Sequence, residues 1–292
     1  MLSILIPFYN YDIKELLKSI HSQCLECNTV FEIIALDDGS GMDTSLFISE
    51  KNITFLKNNT NIGRTETRQK LAKKATYNWL LFLDADVLPV ERKYIKNYIN
   101  LIKSKEFDVS FGGFKYRLTP PENNKILRWK YGTKKEDITV KERLKNPYKV
   151  IISANLLIKK DLFLDINKNL DGNFYGYDNI FSIQLKNRNS KIAHINNPVW
   201  HLGLEPNDVY LKKKELAAKT ILMLYKKQQL NSSSNDLLKT FEFLKKLKLT
   251  YLTAYIFSKT QFILKKNILS SNPSINILNL YRLGYLCKQY SN

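Results

Sequence analysis

The chain has 292 residues, of which 44% are hydrophobic and 12% aromatic, so it can bury a sizeable core in one large domain with an appendage. It contains no apolar run of the roughly 18 residues that a membrane span needs, and its start lacks the length and charge of a signal peptide. Its three cysteines suit neither a disulfide framework nor a complete zinc site, so we expect reduced thiols and a cytoplasmic location. The formal net charge of +19 indicates an anionic partner such as a nucleotide, a nucleic acid or an acidic membrane surface.

Strand and helix patterns alternate in the first third of the chain. Apolar runs predict strands at residues 2–8, 31–36, 53–57 and 79–83. Apolar residues at helical spacing predict helices at about 11–24 and 64–76. Repeated strand–helix–strand units build a mostly parallel sheet, so the pattern predicts an α/β fold whose ligands lie at the carboxyl ends of the strands.

Two of these buried strands end in acidic residues. The second strand is followed by Asp37-Asp38-Gly39-Ser40, and the fourth by Asp84 and Asp86. A carboxylate before a glycine turn can accept a hydrogen bond from a uracil imide or a ribose hydroxyl, and one of two neighbouring carboxylates can bind Mg²⁺ or Mn²⁺. The simpler alternatives are an N-capping turn at Ser40 and an ordinary polar strand end after Leu83.

The helix predicted at 64–76 begins with basic residues. Arg64 and Arg68 lie in its first turns, where acidic residues are usually preferred. Their guanidinium groups and the free backbone amides can bind an anion together, whereas the lysines that follow indicate a solvated face.

Four motifs follow one another in these segments: SILIPFYN (3–10), ALDDGS (35–40), NNTNIGRTETRQKLAKKA (58–75) and LFLDAD (81–86). In this order and spacing they resemble the N-terminal half of a family 2 glycosyltransferase. The resemblance implies the GT-A fold, a Rossmann-like, mostly parallel central sheet flanked by helices. It covers about residues 2–205, within which we assign a nucleotide-sugar half at about 1–115 and an acceptor half at about 116–205.

The resemblance also implies roles for individual residues. Asp38 would contact the base, Arg68 the nucleotide, Asp84 the ribose or donor sugar, and Asp86 a divalent metal, Mn²⁺ or Mg²⁺. The rest of the nucleotide pocket would be formed by Pro7, Tyr9, Asn10 and Gly63. The donor would be a nucleoside diphosphate sugar, with a UDP-sugar favoured, and the reaction would invert the anomeric carbon.

The middle of the chain is less regular. A helix at 91–104 and a strand at 108–114 precede a basic, polar and irregular segment at 115–149, followed by an apolar run at 150–159. The irregular segment, which includes Trp129, is interpreted as an acceptor-binding or lid loop or, equally, as a plain surface excursion.

An acidic residue begins the next predicted helix, which runs to about residue 187. Family members commonly have a Glu-Asp pair here, whose second acid acts as the catalytic base. This chain has Asp178-Asn179 instead, and an amide cannot take a proton. Either Asp178 is the base, or it positions an acceptor beside Tyr177 and Asn179, or the protein is inactive. Asp178 could also be only a helix N-cap.

A strand end at Val199-Trp200 is followed by His201, one of only three histidines. A lone histidine usually has a packing or hydrogen-bonding role. Its position before Gly203 resembles that of the histidine that many GT-A enzymes use as a further metal ligand. A carboxylate and an imidazole together suit Mn²⁺ somewhat better than Mg²⁺.

Residues 206–292 are predicted to form a basic, helical C-terminal extension, with 15 basic and four acidic residues. Helical stretches are predicted at 211–227, 236–248 and 250–266, with aromatic residues between the lysines of the last one. These helices could lie on the anionic inner face of the cell membrane or pack on the catalytic domain with a solvated basic face.

The sequence therefore predicts a metal-dependent glycosyltransferase of the hexosyl or N-acetylhexosaminyl class, acting on a glycan or lipid-linked saccharide in bacterial cell-surface polysaccharide synthesis. Three alternatives remain. An inactive saccharide-binding relative is suggested by Asn179. A nucleotidyltransferase would have a glycine-rich loop after the first strand, which PFYNYD lacks. A nucleic-acid-binding protein would leave the strand-end acids unexplained, so no nucleic acid partner is expected.

Overall fold

The computed structural model describes residues 1–43, 47, 50–104, 106–168, 176, 178–230 and 235–291. The chain forms two compact units. The first contains Met1–Tyr116, Glu136–Asn173 and Gln184–Gly203, and the second contains Arg117–Lys135, Phe174–Ile183 and Leu204–Asn292. The predicted division at residue 205 remains a prediction.

The first unit is built on a seven-stranded sheet. In chain order its strands are β1 (Leu2–Phe8), β2 (Phe31–Asp37), β3 (Ile53–Lys57), β4 (Trp79–Leu83), β6 (Val109–Phe111), β8 (Asn155–Lys159) and β9 (Ile192–His194). Their order across the sheet is β3-β2-β1-β4-β8-β6-β9, and β8 is antiparallel to both of its neighbours. The predicted α/β class with a mostly parallel sheet is confirmed.

Helices of the first unit connect these strands. They are α1 (Lys14–Glu26), α2 (Arg64–Lys74), α3 (Tyr94–Ser104), α5 (Val140–Leu144) and α6 (Lys160–Asn167). In α1, the apolar residues Leu16, Leu17 and Ile20 recur on one side and are fully buried. Since β1, β2 and β4 are parallel, their carboxyl ends lie at one edge of the sheet.

A second, three-stranded sheet contains β5 (Val87–Pro89), β7 (Phe114–Lys115) and β10 (Val199–His201), in the order β5-β10-β7. Strand β10 is antiparallel to β5, and the register places His201 opposite Val87. Because β5 begins directly after Asp86, this pairing brings the C-terminal end of β10 beside the LFLDAD strand end. The backbone N–H of Leu202 donates to the carbonyl of Asp86 at 2.8 Å.

A buried polar cluster connects the two sheets of the first unit. The side-chain oxygen of Asn155 accepts hydrogen bonds from the hydroxyls of Tyr94 (2.6 Å) and Tyr98 (2.7 Å). Its amide nitrogen donates to the carbonyls of Gly113 (2.8 Å) and Asn197 (3.0 Å). All four hydrogen-bonding positions of one buried amide are therefore used, and they tie β8 and α3 to the segments that lead into β7 and β10.

The second unit is helical. Its helices are α4 (Ile126–Lys135), α8 (Asn207–Lys226), α9 (Asp236–Lys246), α10 (Thr250–Ile268) and α11 (Ile275–Ser291). Its core includes fully buried residues such as Tyr210, Phe257 and Tyr281. Residues of α7 (Asp178–Asn187) are divided between the two units, at Ile183 and Gln184. None of the helices within the described ranges combines the length and the apolar character needed to cross a bilayer.

Several segments differ from the sequence-based expectations, among them α11, which was not predicted. The segment 115–149, predicted to be irregular, contains α4, α5 and a short 3₁₀ helix at Asn123–Lys125. The lysine-rich pattern concealed α4, whose buried side includes Arg128 as well as Ile126 and Leu127. The strand predicted at 108–114 is two strands in different sheets, because the chain changes direction at Gly112 and Gly113. The apolar run from residue 150 becomes a strand only at Asn155.

We predict that the Asn155 cluster makes a large contribution to stability. Asn155→Ala is expected to lower the free energy of unfolding by about 3 kcal/mol, because it removes four buried hydrogen bonds at once. Urea denaturation followed by circular dichroism would measure this. Asn100→Ala, at an exposed position of α3, is the control and should change stability by less than about 0.5 kcal/mol. Equal effects of the two substitutions would contradict the prediction.

Candidate active site

A cleft of about 220 Å³ lies at the carboxyl ends of β1, β2 and β4, within the first unit. It is lined by Pro7, Phe8, Tyr9, Tyr11, Asp38, Arg64, Thr67, Arg68, Asp84, Ala85 and Asp86. The structure thus brings together most of the residues that the sequence assigned to nucleotide and metal binding. Asn10, next to Tyr9, is exposed and has a left-handed backbone with φ of 50°.

Asp38 is buried and stabilises the loop before α2. Its Oδ1 accepts hydrogen bonds from the side-chain amide of Asn58 and the backbone N–H of Ile62, both at 2.9 Å, and its Oδ2 accepts one from Gly63 N at 2.9 Å. The carboxylate therefore fixes the loop on the wall of the cleft. Gly63, which was predicted to bind the nucleotide, is the residue directly before α2.

Asp37 closes the turn that follows β2. Its Oδ1 accepts hydrogen bonds from Ser40 N (2.9 Å) and Ser40 Oγ (2.5 Å). Gly39 has φ of +82°, and a Cβ there would lie 2.5 Å from the carbonyl carbon of Thr60, so this position accommodates only glycine. No helix begins at the described residues 41–43, so Ser40 does not have the N-capping role considered above. Asp37 closes the turn instead, whereas Asp38 lines the cleft.

The arginines of α2 are directed at Asp84. Arg68 is buried and its Nη2 forms an ion pair with Asp84 Oδ1, and the more exposed Arg64 lies 3.4 Å from Asp84 Oδ2. Burial alone would raise the pKa of Asp84, but the guanidinium groups of Arg68 and Arg64 outweigh it and hold the pKa below its ordinary value. Asp84 is therefore an ionised carboxylate. It is the partner of Arg64 and Arg68, the two residues whose positive charge was predicted to bind an anion.

Asp86 and His201 lie close together, because Asp86 directly precedes β5 and His201 ends β10, the strand that pairs with β5. His201 Nε2 is 3.7 Å from Asp86 Oδ2. Burial raises the pKa of Asp86 above its ordinary range, His201 partly offsets this rise, and Asp84 adds to it. A partly buried carboxylate beside a second carboxylate is stabilised in its ionised form by a cation.

The side chains of Asp86 and His201 suit a divalent metal. Asp86 Oδ2 and His201 Nε2 are an oxygen and a nitrogen donor of the types that Mn²⁺ binds, and a separation of 3.7 Å lets both contact one ion at about 2.1 Å. The described residues contain no group of three or more metal-ligating side chains. The site therefore fits an ion that takes two ligands from the protein and the others from a bound diphosphate or water.

Two features of this site were not predicted from sequence. A Cβ at Gly203 would overlap the carboxylate of Asp86, so a side chain at this position would displace the acid. The imidazole of His201 lies between aromatic rings, stacked on Tyr116 at 5.5 Å and edge-on to Phe114 at 5.6 Å. The Val-Trp-His-Leu-Gly spacing was the available signal for Gly203, whereas no local pattern indicated the two rings.

Tyr11 is a further cleft residue that sequence reasoning missed. Burial raises the pKa of its hydroxyl, and the charges of Asp86, Glu15 and Asp12 raise it further. The phenol therefore stays protonated at neutral pH and can donate a hydrogen bond into the cleft. Its signal was its place directly after the SILIPFYN motif.

The residues predicted to bind the acceptor are not among those that line the cleft. Trp129 belongs to α4 in the second unit, and its indole N–H donates to the carbonyl of Arg117 at 2.8 Å. Asp178 and Asn179 begin α7, but their side chains, like the whole of Tyr177, lie outside the described part of the structure. Their assigned roles remain predictions.

We predict unequal effects of the two arginines on stability. Arg68→Met should lower the free energy of unfolding by about 3 kcal/mol at pH 7, because it leaves Asp84 buried without its main partner. Arg64→Met, the control on the same helix, should cost less than about 1 kcal/mol because Arg64 is 53% exposed.

The pH dependence of the Arg68 effect has a definite sign. The folded-state pKa of Asp84 is below its ordinary value of 3.8, so the ion pair stabilises fully above that pH and loses its effect as pH falls through the folded-state value. The difference between Arg68→Met and the natural protein, measured by urea denaturation, should be smaller at pH 3, below the ordinary value, than at pH 7. A difference that grows on acidification would contradict the assignment.

Sequence comparisons identify relatives of this chain. The profile of glycosyl transferase family 2 matches residues 3–166, more than half of the chain. An uncharacterised glycosyltransferase of Haemophilus influenzae is 36% identical over 92 residues, which are 30% of this chain and 29% of that protein. Another, from Methanocaldococcus jannaschii, is 28% identical over 134 residues, 44% of this chain and 45% of that protein. The aligned segments span less than half the length of either relative.

Structural comparisons agree on the fold. TarS from S. aureus, in complex with UDP-GlcNAc, matches with a TM-score of 0.54 and 20% identity over 99% of this chain and 92% of that chain. Glucosyl-3-phosphoglycerate synthase from Mycobacterium tuberculosis, in complex with Mn²⁺, UDP and phosphoglyceric acid, matches with a TM-score of 0.52 and 14% identity over 76% of this chain and 77% of that one. These likenesses concern the fold, and the family assignment comes from the profile match. The chain belongs to the family 2 glycosyltransferases and has the GT-A fold.

Proposed function

We propose that this protein transfers a sugar from a nucleoside diphosphate sugar to a hydroxyl group, with the help of a divalent metal ion. The observation that supports this best is the pair Asp86 and His201, 3.7 Å apart beside the cleft at the carboxyl ends of β1, β2 and β4. Asp84 and two arginines lie next to that pair. A cation site beside basic side chains suits a diphosphate, and the neighbouring strand ends suit a nucleoside.

The nucleoside would bind against the ends of β1 and β2. Pro7 and Tyr9 line the cleft, and Asn10 follows them with its backbone exposed. Asp38 holds the loop that ends at Gly63, and its carboxylate faces the same cleft. This arrangement supports a UDP-sugar as donor, since a uracil imide can donate to a carboxylate.

The charged groups would bind the diphosphate and the sugar. Arg64 is half exposed and can move toward a phosphate, while Arg68 is buried and keeps Asp84 ionised and oriented. Asp84 would then accept hydrogen bonds from ribose or sugar hydroxyls. Asp86 and His201 would hold Mn²⁺ or Mg²⁺, which when bound stabilises negative charge on the departing diphosphate.

The acceptor would be a glycan or a lipid-linked saccharide, and the transferred group a hexose or an N-acetylhexosamine. We assign Asp178 as the base that removes the acceptor proton during a single displacement with inversion, and Tyr177, Asn179 and Trp129 as acceptor-binding residues. Helix α7 begins at Asp178, in agreement with the predicted helix start. A role in bacterial cell-surface polysaccharide synthesis, in the cytoplasm, is part of the same proposal.

The donor site is tested by thermal unfolding with UDP and GDP, with and without Mn²⁺. UDP at about 100 times its Kd should raise the Tm by about 5 °C, and Mn²⁺ should increase the shift. Asp86→Ala should lose the increase that depends on Mn²⁺. Gly203→Ala should weaken it too, because the new Cβ displaces the carboxylate.

Asp161→Ala, which removes an exposed acid of α6, is the matched control and should keep the full shift. Folded protein that responds to neither nucleotide would contradict the donor site. A Mn²⁺-dependent shift that survives in Asp86→Ala would contradict the metal site alone.

The catalytic assignment is tested by moving one carboxylate. Asp178→Asn should lower kcat by about 100-fold or more, measured as UDP release with a UDP-sugar and a panel of saccharide acceptors, while the UDP-induced Tm shift is unchanged. The double variant Asp178→Asn/Asn179→Asp moves the acid to the place that it occupies in most family members. Recovery of activity in the double variant would show that the second position carries the base. A natural protein that is inactive, with activity gained in Asn179→Asp, would identify an impaired saccharide-binding relative instead.

A further inference from the structure

Helix α10 in the second unit has one buried side and one exposed apolar side. The buried residues Ala254, Phe257 and Ile268 recur at helical spacing, and a Cβ at Gly284 of α11 would overlap the ring of Phe257. The opposite side of the helix exposes large apolar and aromatic residues: Tyr251, Leu252, Tyr255, Ile256, Phe262 and Ile263. We call these six residues the outer face of α10.

The exposure of the outer face is unusual for large side chains. Phe262 is 79% exposed and Ile263 is 68% exposed. Many pairs of these positions are three, four, seven, eight or eleven residues apart, so the six residues form a stripe along one side of the helix. Single exposed apolar residues are normal, but a continuous stripe marks an interaction site.

The charged residues of α10 and of the segment directly before it are all positive. Residues 243–268 contain six lysines and no acidic residue. Lys259 and Lys266 lie on the same side of the helix as the stripe, one turn before and one turn after Phe262, and both are exposed. The Lys259 amine lies 5.7 Å from the ring centroid of Tyr255. Within the described residues, neither lysine forms an ion pair, so their charges are available to an external anion.

We propose that the outer face of α10 binds the surface of an anionic lipid bilayer. Its tyrosine, phenylalanine and isoleucine side chains enter the boundary between headgroups and acyl chains, and the lysine stems let the ammonium groups reach lipid phosphates. This binding is superficial, because α10 is not apolar enough to span the membrane. An isologous contact with a second copy of the chain would instead bring the same lysines against each other without any acid nearby, which is unfavourable.

The proposal goes beyond the proposed transfer reaction and does not depend on it, because none of its residues lines the donor cleft. For the C-terminal helices, the sequence allowed either packing against the protein or binding to a membrane. In α10, one side packs on neighbouring helices and the other side is left for the lipid. The two alternatives therefore apply to different sides of the same helix.

The test is flotation of the full chain with vesicles of phosphatidylcholine alone or with 30% phosphatidylglycerol. We expect binding to the anionic vesicles and much weaker binding to the neutral ones. Phe262→Ser/Ile263→Ser should lower the partition coefficient by about tenfold or more, because two large side chains no longer enter the bilayer. The control Leu25→Ser/Leu118→Ser replaces two exposed leucines elsewhere and should bind normally.

A variant without three of the lysines measures the electrostatic contribution to vesicle binding. Lys259→Gln/Lys265→Gln/Lys266→Gln should weaken binding to anionic vesicles several-fold and reduce its sensitivity to salt. Lys18→Gln/Lys51→Gln/Lys103→Gln removes the same charge from exposed positions of the first unit and should have little effect. Circular dichroism would verify that every variant is folded.

Tryptophan fluorescence shows whether the stripe enters the bilayer. Phe262→Trp keeps an aromatic side chain in the stripe, and its emission should shift to shorter wavelength with anionic vesicles. Equal binding by the serine double variant and the natural protein would overturn the proposal. So would absence of vesicle binding together with a natural dimer, seen by light scattering, that Phe262→Ser/Ile263→Ser converts to a monomer, because the stripe would then be a protein interface.

Discussion

The candidate site depends on how two neighbouring carboxylates are kept stable after β4. Asp84 is paired with the buried guanidinium of Arg68, so its pKa is lowered despite burial, whereas burial raises the pKa of Asp86 and the nearby His201 offsets this rise only in part. One acid is therefore neutralised by the protein itself, and the other is ready for an external cation. This difference assigns different roles to residues that are only two positions apart in sequence.

The partner of Asp86 is supplied by strand pairing rather than by local sequence. Strand β10 pairs with β5 so that His201 lies opposite Val87, and the N–H of Leu202 bonds to the Asp86 carbonyl. Asn155 and Asn197 link the connection before β10 to the large sheet. Gly203 keeps the space beside the carboxylate free. The proposed metal site is thus the product of a sheet register and a buried amide cluster.

The two units also differ in how their positive charges are paired. In the first unit, Arg64 and Arg68 both pair with Asp84. Two positive charges face one negative charge there, so the excess positive charge can interact with a diphosphate. In α10 the lysines have no acidic neighbours in the sequence 243–268 and surround an apolar stripe. A net charge of +19 could not distinguish these situations, because composition does not record which charges are already paired.

Local patterns were sufficient for the strands and helices that surround the cleft. The apolar run at Leu2–Phe8, the DDGS turn and the LFLDAD strand end each carry their own signal, since a buried strand has no reason to end in unpaired acids. The second half was harder. Helix α4 was missed because lysines masked its buried side, and the strand predicted at 108–114 was divided between two sheets by a change of direction that hydrophobicity does not encode.

By itself, the sequence determined the α/β fold, the family and the acids at the strand ends, because strand periodicity and turn chemistry act over a few residues. The tertiary structure decided which acid is paired with which base, that Gly203 and the rings of Phe114 and Tyr116 surround Asp86 and His201, and which side of α10 stays exposed. These features depend on contacts between residues that are far apart in the chain, and such contacts exist only once the sheets and helices have packed.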